Sequence, residues 1–210
     1  MKLYGFPASP NTWKVRAVAK HIGVPLEEEF VDLTKGVSHT PDYLALNPTG
    51  RTPALVDGDF VLWESTPIMQ YIASVKPNTL WPDNARARAD IVRWQSWDLA
   101  HFSGQGCQPL TFENLVKQIV NMGEPNKAVV DAALASFHRE AKVLDQYLSK
   151  HRWLVGDQPT LADFSVGAPL FYADRAGLPL AEYPRVGEWF GRLSALPGWK
   201  ETAPQFAKAA

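Results

Sequence analysis

Three short segments place polar residues where a folded chain could use them chemically. Ser9 stands before Pro10, with Asn11 two residues on, at the head of an apolar run with helical spacing. Proline favours the first helical position, so Ser9 takes the capping position. There its hydroxyl either closes the helix end or, beside the positive end of the helix dipole, serves an anion. The second segment is Arg51-Thr52-Pro53, between a loop and a strand. Pro53 removes a ladder donor and therefore belongs at a strand start or in a turn, and an X-Pro bond is cis in about 5% of cases. The third segment, Glu64-Ser65-Thr66-Pro67, lies where a strand hands over to a helix, with proline in the first turn. Backbone N–H groups and the positive dipole end point outward at such a place and suit an anion. The alternative is that Ser65 or Thr66 simply caps the helix, worth about 1 kcal/mol.

The elements that must position these residues follow from periodicity. Lys2 to Tyr4 reads as a short strand, and Val15, Val18, Ala19 and Ile22 recur at helical spacing. Phe30, Val31 and Leu33 suggest a second strand that ends before a loop at Thr34 to Thr40, and Pro41 to Leu46 suits a short helix. Ala54-Leu55-Val56 and Phe60-Val61-Leu62-Trp63 flank Asp57-Gly58-Asp59, a tight-turn signal for a hairpin, and Glu64 to Lys76 returns to helix. The expected order is βαβαββα over residues 1–77. Pro77 to Asp83 carries two prolines and no periodicity, which marks a linker, set at 78–84.

From residue 85 to 210 every pattern is helical. Ile91, Trp94, Leu99 and Phe102 predict one helix; Val130, Leu134, Phe137, Ala141, Leu144 and Leu148 predict another; Val186, Trp189, Phe190 and Leu193 mark the last clear one. Thr160-Leu161-Ala162-Asp163 is a close variant of the capping box, a folding signal, and Ala207 to Ala210 is expected to fray.

Composition bounds the function. The chain has 210 residues, 46% hydrophobic and 20% charged, as expected of folded domains rather than disordered chains. With 21 Lys plus Arg against 22 Asp plus Glu, no positive surplus draws the chain to nucleic acid or anionic lipid. Cys107 is the only cysteine, so no internal disulfide or Cys-x-x-Cys motif exists, and it reads as a small buried apolar group. No apolar run has signal-peptide or bilayer-spanning length, which leads to the expectation of a soluble, cytoplasmic protein with no membrane partner.

Taken in order, these motifs resemble those of the soluble glutathione transferases. Tyr4-Gly5 followed by Ser9-x-Asn11 is similar to the opening of the serine-type enzymes, particularly phi-like and bacterial groups, and Thr52-Pro53 and Glu64-Ser65 fall at family spacing. The resemblance extends through Trp153-Leu154-Val155-Gly156-Asp157 and Tyr183-Pro184-Arg185-Val186, so it covers nearly the whole chain. It implies an α/β thioredoxin-like N-terminal domain with a mixed four-stranded sheet, an all-α C-terminal domain and a homodimer. Glutathione is implied as co-substrate, with no metal. The proline at position 53 is then expected to be cis, with Thr52 pairing with the cysteinyl unit, while Ser65 takes the γ-glutamyl carboxylate and Glu64 the amino group. Ser9, assisted or replaced by Asn11, would stabilise the bound thiolate, whereas Tyr4 packs.

Such an enzyme must overcome a definite energy. A free cysteinyl thiol has a pKa of about 8.5, and lowering it by about two units requires roughly 2.7 kcal/mol. One charge-assisted hydrogen bond contributes about 1.5–3 kcal/mol, so Ser9 at a helix end suffices. For the glycyl carboxylate, Ser38 and His39 stand where phi-like members often carry His-Lys, and Arg51 and Thr52 stand where Gln and Val or Ile are common. His39 and Arg51 are the candidates at that end. Trp97, His101 and Phe102 fall near one face of the helix after the linker and are candidates for an apolar electrophile pocket, with core packing as the alternative. His101 has no carboxylate or cysteine at metal-ligand spacing. Two rivals share the resemblance: a non-catalytic glutathione-binding or regulatory protein, and a glutathione-dependent disulfide or peroxide reductase; isomerisation and dehalogenation could use the same thiolate.

Overall fold

Short strands, each too small to bury a face alone, make one sheet in the first part of the chain. The computed structural model describes residues 1–204, so the expected fraying of Ala207 to Ala210 lies outside the described residues. The elements are β1 (Lys2–Gly5), α1 (Pro10–Ile22), β2 (Glu27–Phe30), α2 (Pro41–Leu46), β3 (Ala54–Asp57), β4 (Phe60–Trp63) and α3 (Ser65–Ser74), the expected order. The strands lie β2-β1-β3-β4, with β1 and β2 parallel and the other two pairings antiparallel, the mixed sheet of a thioredoxin-like domain. Gly58 sits at φ +64°, as a tight turn between β3 and β4 requires. Leu3 and Leu55, paired across β1 and β3, are buried with Val15, Val18, Ile68, Met69 and Ile72 of α1 and α3.

The second strand departs from its expected place. It occupies Glu27–Phe30 and is exposed along its length, and Leu33–Lys35 forms a turn of 3-10 helix instead. Three consecutive glutamates carry little strand propensity, so apolar periodicity misses them. Pairing decides: Lys2 lies opposite Glu27 in the register, and its ammonium is 3.1 Å from both Glu27 and Glu29, whose hydrogen bonds raise its pKa.

Contacts divide the chain into two units, Met1–Trp81 with the chain from Ala195 onward, and Pro82–Ser194. Residues 195–204 group with the first unit. There α11 (Pro197–Thr202) is an element that a six-residue apolar pattern hides. Trp199 packs on Trp13 of α1 with ring centroids 4.2 Å apart, and the Trp13 indole donates to the Thr202 hydroxyl at 3.1 Å.

The second unit is all-helical, as expected. It contains α4 (Ala85–Trp97), α5 (Gln108–Thr111), α6 (Lys117–Ile119), α7 (Lys127–Leu148), α8 (Leu161–Gly167), α9 (Ala173–Ala176) and α10 (Pro184–Ser194). The capping box forms: the buried Asp163 carboxylate accepts from the Thr160 N–H at 2.8 Å, and also from the Leu154 N–H and the Trp189 indole. Between α4 and α5 the helix winds as a π-helix over Asp98–Cys107. This changes which residues share a face, because π winding pairs i with i+5. Leu99, part of the predicted apolar helical pattern, is 44% exposed, whereas Asp98 is buried. Among the described residues, no helix is long and apolar enough to cross a membrane.

Candidate functional site

Two helix N-termini and one loop edge in the first unit come together around the residues singled out by their chemistry. Ser9 occupies the capping position of α1 with an extended backbone (φ −73°, ψ 126°), and Pro10 fills the first helical position. The Ser9 side chain nevertheless makes no capping hydrogen bond, so its hydroxyl is not consumed in closing the helix. Its main chain is fixed from both sides, the N–H donating to the Phe6 carbonyl and the carbonyl accepting from the Trp13 N–H, each at 2.9 Å. The result is a held backbone with an uncommitted hydroxyl at the positive end of a 13-residue helix.

Asn11 links this end to the next. The buried Ser65 hydroxyl donates to the Asn11 side-chain carbonyl at 3.3 Å, joining the first turns of α1 and α3 across 54 positions of sequence. Ser65 is the first helical residue of α3 and Glu64 takes the capping position, so the expectation that Ser65 or Thr66 might cap is corrected. Glu64 has φ +71° and makes no side-chain cap bond. A non-glycine residue with positive φ stores of order 1 kcal/mol or more and persists only where its surroundings impose it. At this junction it leaves the Glu64 carboxylate exposed beside the helix end. Thr66 adds a group that sequence reasoning treated only as a possible cap: its hydroxyl oxygen is buried with no hydrogen-bond partner. A buried orphan hydroxyl next to Ser65 is a signal that only coordinates reveal.

The third part is the loop before β3. The Thr52-Pro53 peptide bond is cis. The Arg51 carbonyl accepts from the Tyr43 hydroxyl and the Asn47 amide, both at 2.7 Å, and Asn47 also takes the Thr49 N–H and hydroxyl at 3.0 and 2.8 Å. Asn47 and Tyr43 are buried, and burial pushes the Tyr43 phenol up to about 12, so it stays a hydrogen-bond donor. These two residues hold the segment on which Thr52 sits. Local sequence assigned no role to either residue, because their partners are main-chain groups set by the fold. Neither main-chain group of Thr52 has a hydrogen-bond partner among the described residues, which leaves a short free peptide edge. Tyr4 packs with Val31, Tyr43 and Ala54, as its strand position implied.

His39 is exposed and closes on this loop from its other side. A Cβ on Gly50, which has φ +65°, would meet the His39 ring at 2.7 Å, so only glycine lets the imidazole approach. Arg51 is exposed, and no hydrogen bond or ion pair of its side chain occurs among the described residues. The two candidates for a carboxylate therefore lie at one loop.

Of the electrophile candidates, Trp97 and Phe102 come together and His101 does not join them. Trp97 stacks on Phe102 with ring centroids 5.2 Å apart and planes 9° apart, an i, i+5 pair set by the π winding, and its indole donates to Glu140 at 2.9 Å. Phe102 is fully buried against Phe137, which corrects its assignment to an open pocket wall, while His101 is exposed. Cys107 is fully buried and its thiol pKa is raised by burial, as a small apolar group's would be. Among the described residues no group of three or more His, Cys, Asp or Glu side chains could hold a metal ion.

The site thus offers two positive helix ends, a serine hydroxyl, a carboxylate and a free peptide edge, which suits a small peptide bearing a carboxylate, an amine and an anionic sulfur. Comparison with known proteins points the same way. Residues 1–74 match the N-terminal domain of glutathione S-transferases and residues 127–192 match the C-terminal domain. Glutathione S-transferase 3 of Zea mays is 38% identical over 208 residues, covering 96% of this chain and 92% of its own. The structure of glutathione S-transferase III in apo form superposes with a TM-score of 0.87 at 36% identity, covering 99% of both chains. A theta-class glutathione S-transferase of Xanthomonas axonopodis pv. citri, solved with glutathione bound, has a TM-score of 0.87 at 27% identity, over 98% of this chain and 97% of that one.

Proposed function

Because the chain belongs to the glutathione S-transferase family, and so joins glutathione to a second substrate, we propose that Ser9 donates to the glutathione thiolate and that α1, α3 and the Thr52 edge form its glutathione site. The observation that carries this reading is the Ser9 hydroxyl: it stands at a helix N-cap yet caps nothing, and Asn11 ties that helix end to Ser65. Ser65, with the first-turn N–H groups of α3, takes the γ-glutamyl carboxylate, and Glu64 takes the amino group. Thr52 pairs through its main chain with the cysteinyl unit, and His39 and Arg51 serve the glycyl carboxylate. Asn11, already accepting from Ser65, positions Ser65 and assists Ser9. The thiolate attacks a small hydrophobic electrophile, for which the half-buried Trp97 and the exposed His101 remain the contact candidates.

A homodimer belongs to the same proposal. It is supported by the edge strand β4, whose Val61 and Trp63, two residues apart on one face, are 38% and 39% exposed, an apolar pair that a partner surface would cover. A cytoplasmic setting is supported by a single buried cysteine and no disulfide.

The test is to titrate the ultraviolet absorbance of the bound thiolate against pH. The wild-type protein is expected to lower the glutathione thiol pKa by about two units, and Ser9→Ala to return most of that shift. Equal shifts in both proteins would transfer the role to Asn11; no shift in the wild type would remove thiolate stabilisation from this site.

A further inference from the structure

The second unit carries an open, shallow surface hollow of about 340 Å³ at the end of α7, bordered on its other side by α10. Its wall includes Lys150, Arg152, Arg185 and Arg192 against a single carboxylate, Glu188. Leaving His151 aside, four cations less one anion leave a local charge of +3, in a chain whose net charge is −1. Glu188 is committed to Arg185 through two contacts of 3.2 Å. Lys150, Arg152 and Arg192 have no carboxylate partner among the described residues.

Helix-end electrostatics accounts for part of this. Lys150 and Arg152 follow the α7 C-terminus, where cations offset the dipole. Arg192, in the last turn of α10, has the same rationale, but Arg185 does not: it stands in the first turn of α10, where a cation opposes the dipole, and α10 brings both to the same hollow from more than thirty positions further along the chain. Arg192 spends one N–H on the Arg152 carbonyl at 3.1 Å, which fixes the loop, and its buried Nε has no hydrogen-bond partner. The Arg152 and Arg192 guanidinium groups and the Lys150 ammonium, gathered without a carboxylate partner among the described residues, repel one another and present a positive field to whatever enters. Guanidinium forks match phosphate oxygens two at a time. The volume falls at the lower end of the range for small-ligand sites, too small for a folded partner and sufficient for a diphosphate.

We propose that this hollow is an anion site, separate from the glutathione site, that binds a small diphosphate group, either free pyrophosphate or the diphosphate of a nucleotide. The His151 ring, stacked on Tyr147 at 3.9 Å, lines the rim and offers its outer face to a nucleotide base.

The experiment is calorimetric titration of inorganic pyrophosphate into the full-length protein, with the glutathione site blocked by saturating S-methylglutathione. Saturable binding is expected, and Lys150→Gln with Arg152→Gln should weaken it by at least about tenfold, each exposed cation having contributed one charge-assisted contact. Glutathione transfer should be unchanged in that variant, because neither residue belongs to the glutathione site. Adenosine diphosphate binding more tightly than pyrophosphate, with the gain lost in His151→Ala, assigns the nucleotide source; equal affinities assign the free anion. Absence of saturable binding, or binding that the double variant leaves intact, overturns the proposal.

Discussion

A hydroxyl at a helix terminus ordinarily lowers its energy by capping, and residues 9, 65 and 66 all decline to do so. Ser9 makes no cap bond, Ser65 turns to Asn11, and Thr66 is buried without a partner. Three uncommitted or laterally bonded hydroxyls at two helix ends mark a place prepared for a polar ligand. Ser65→Ala should weaken glutathione binding about tenfold by calorimetry, the worth of one hydrogen bond to a charged group; unchanged affinity would remove the γ-glutamyl end from α3. Asn47 acts at one remove. It is 2% exposed and bonds to both Arg51 and Thr49, so Asn47→Ala orphans several groups at once. Denaturation should show a loss of about 2 kcal/mol or more, and weaker glutathione binding should accompany it because Thr52 is no longer held.

At the scale of elements, terminal carboxylates organise the second unit. Glu113 accepts from the Asn126 N–H and the Lys117 ammonium, both at 2.6 Å, and so ties the chain after α5 to the start of α7. Lys117 and that N–H hold the Glu113 carboxyl below its ordinary value. A depressed carboxylate contributes stability that is present above its unfolded pKa and lost as pH falls through the folded one. Unfolding midpoints should therefore fall below about pH 4.5 in the wild type, and Glu113→Gln should flatten that part of the profile while lowering stability at neutral pH. Asp163 plays the matching part at α8, where one carboxylate receives two N–H groups, the Thr160 hydroxyl and an indole. Its capping box was legible in sequence; the Leu154 and Trp189 donors, 9 and 26 positions away, were not, because a local motif carries no information about what folds over it.

For the molecule as a whole, the return of the chain to the first unit has energetic weight. Trp199 is 2% exposed and fills the surface of α1 beside Trp13. Trp199→Ala should cost about 3–5 kcal/mol in chemical denaturation, as large-to-small changes of aromatic core residues do. Gly198→Ala should also destabilise, because a Cβ there would stand 2.7 Å from the His21 nitrogen and 2.9 Å from the Ala17 carbonyl oxygen of α1. If both variants matched the wild type, the end of the chain would not be part of the first unit's core.

The order βαβαββα, the hairpin at Gly58, the all-helical second unit and the positions of Ser9, Thr52 and Ser65 were readable in the sequence, because they rest on local propensity, turn chemistry and periodicity. The tertiary structure alone decided what long-range pairing controls. It placed β2 on three glutamates opposite Lys2 and set Phe102 against Trp97 through π winding. It brought Ser65 to Asn11, hung the Thr52 segment from Tyr43 and Asn47, and returned α11 to α1. Each of these depends on contacts between residues whose partners lie on another turn or another element, and their free energy exists only once the chain has folded.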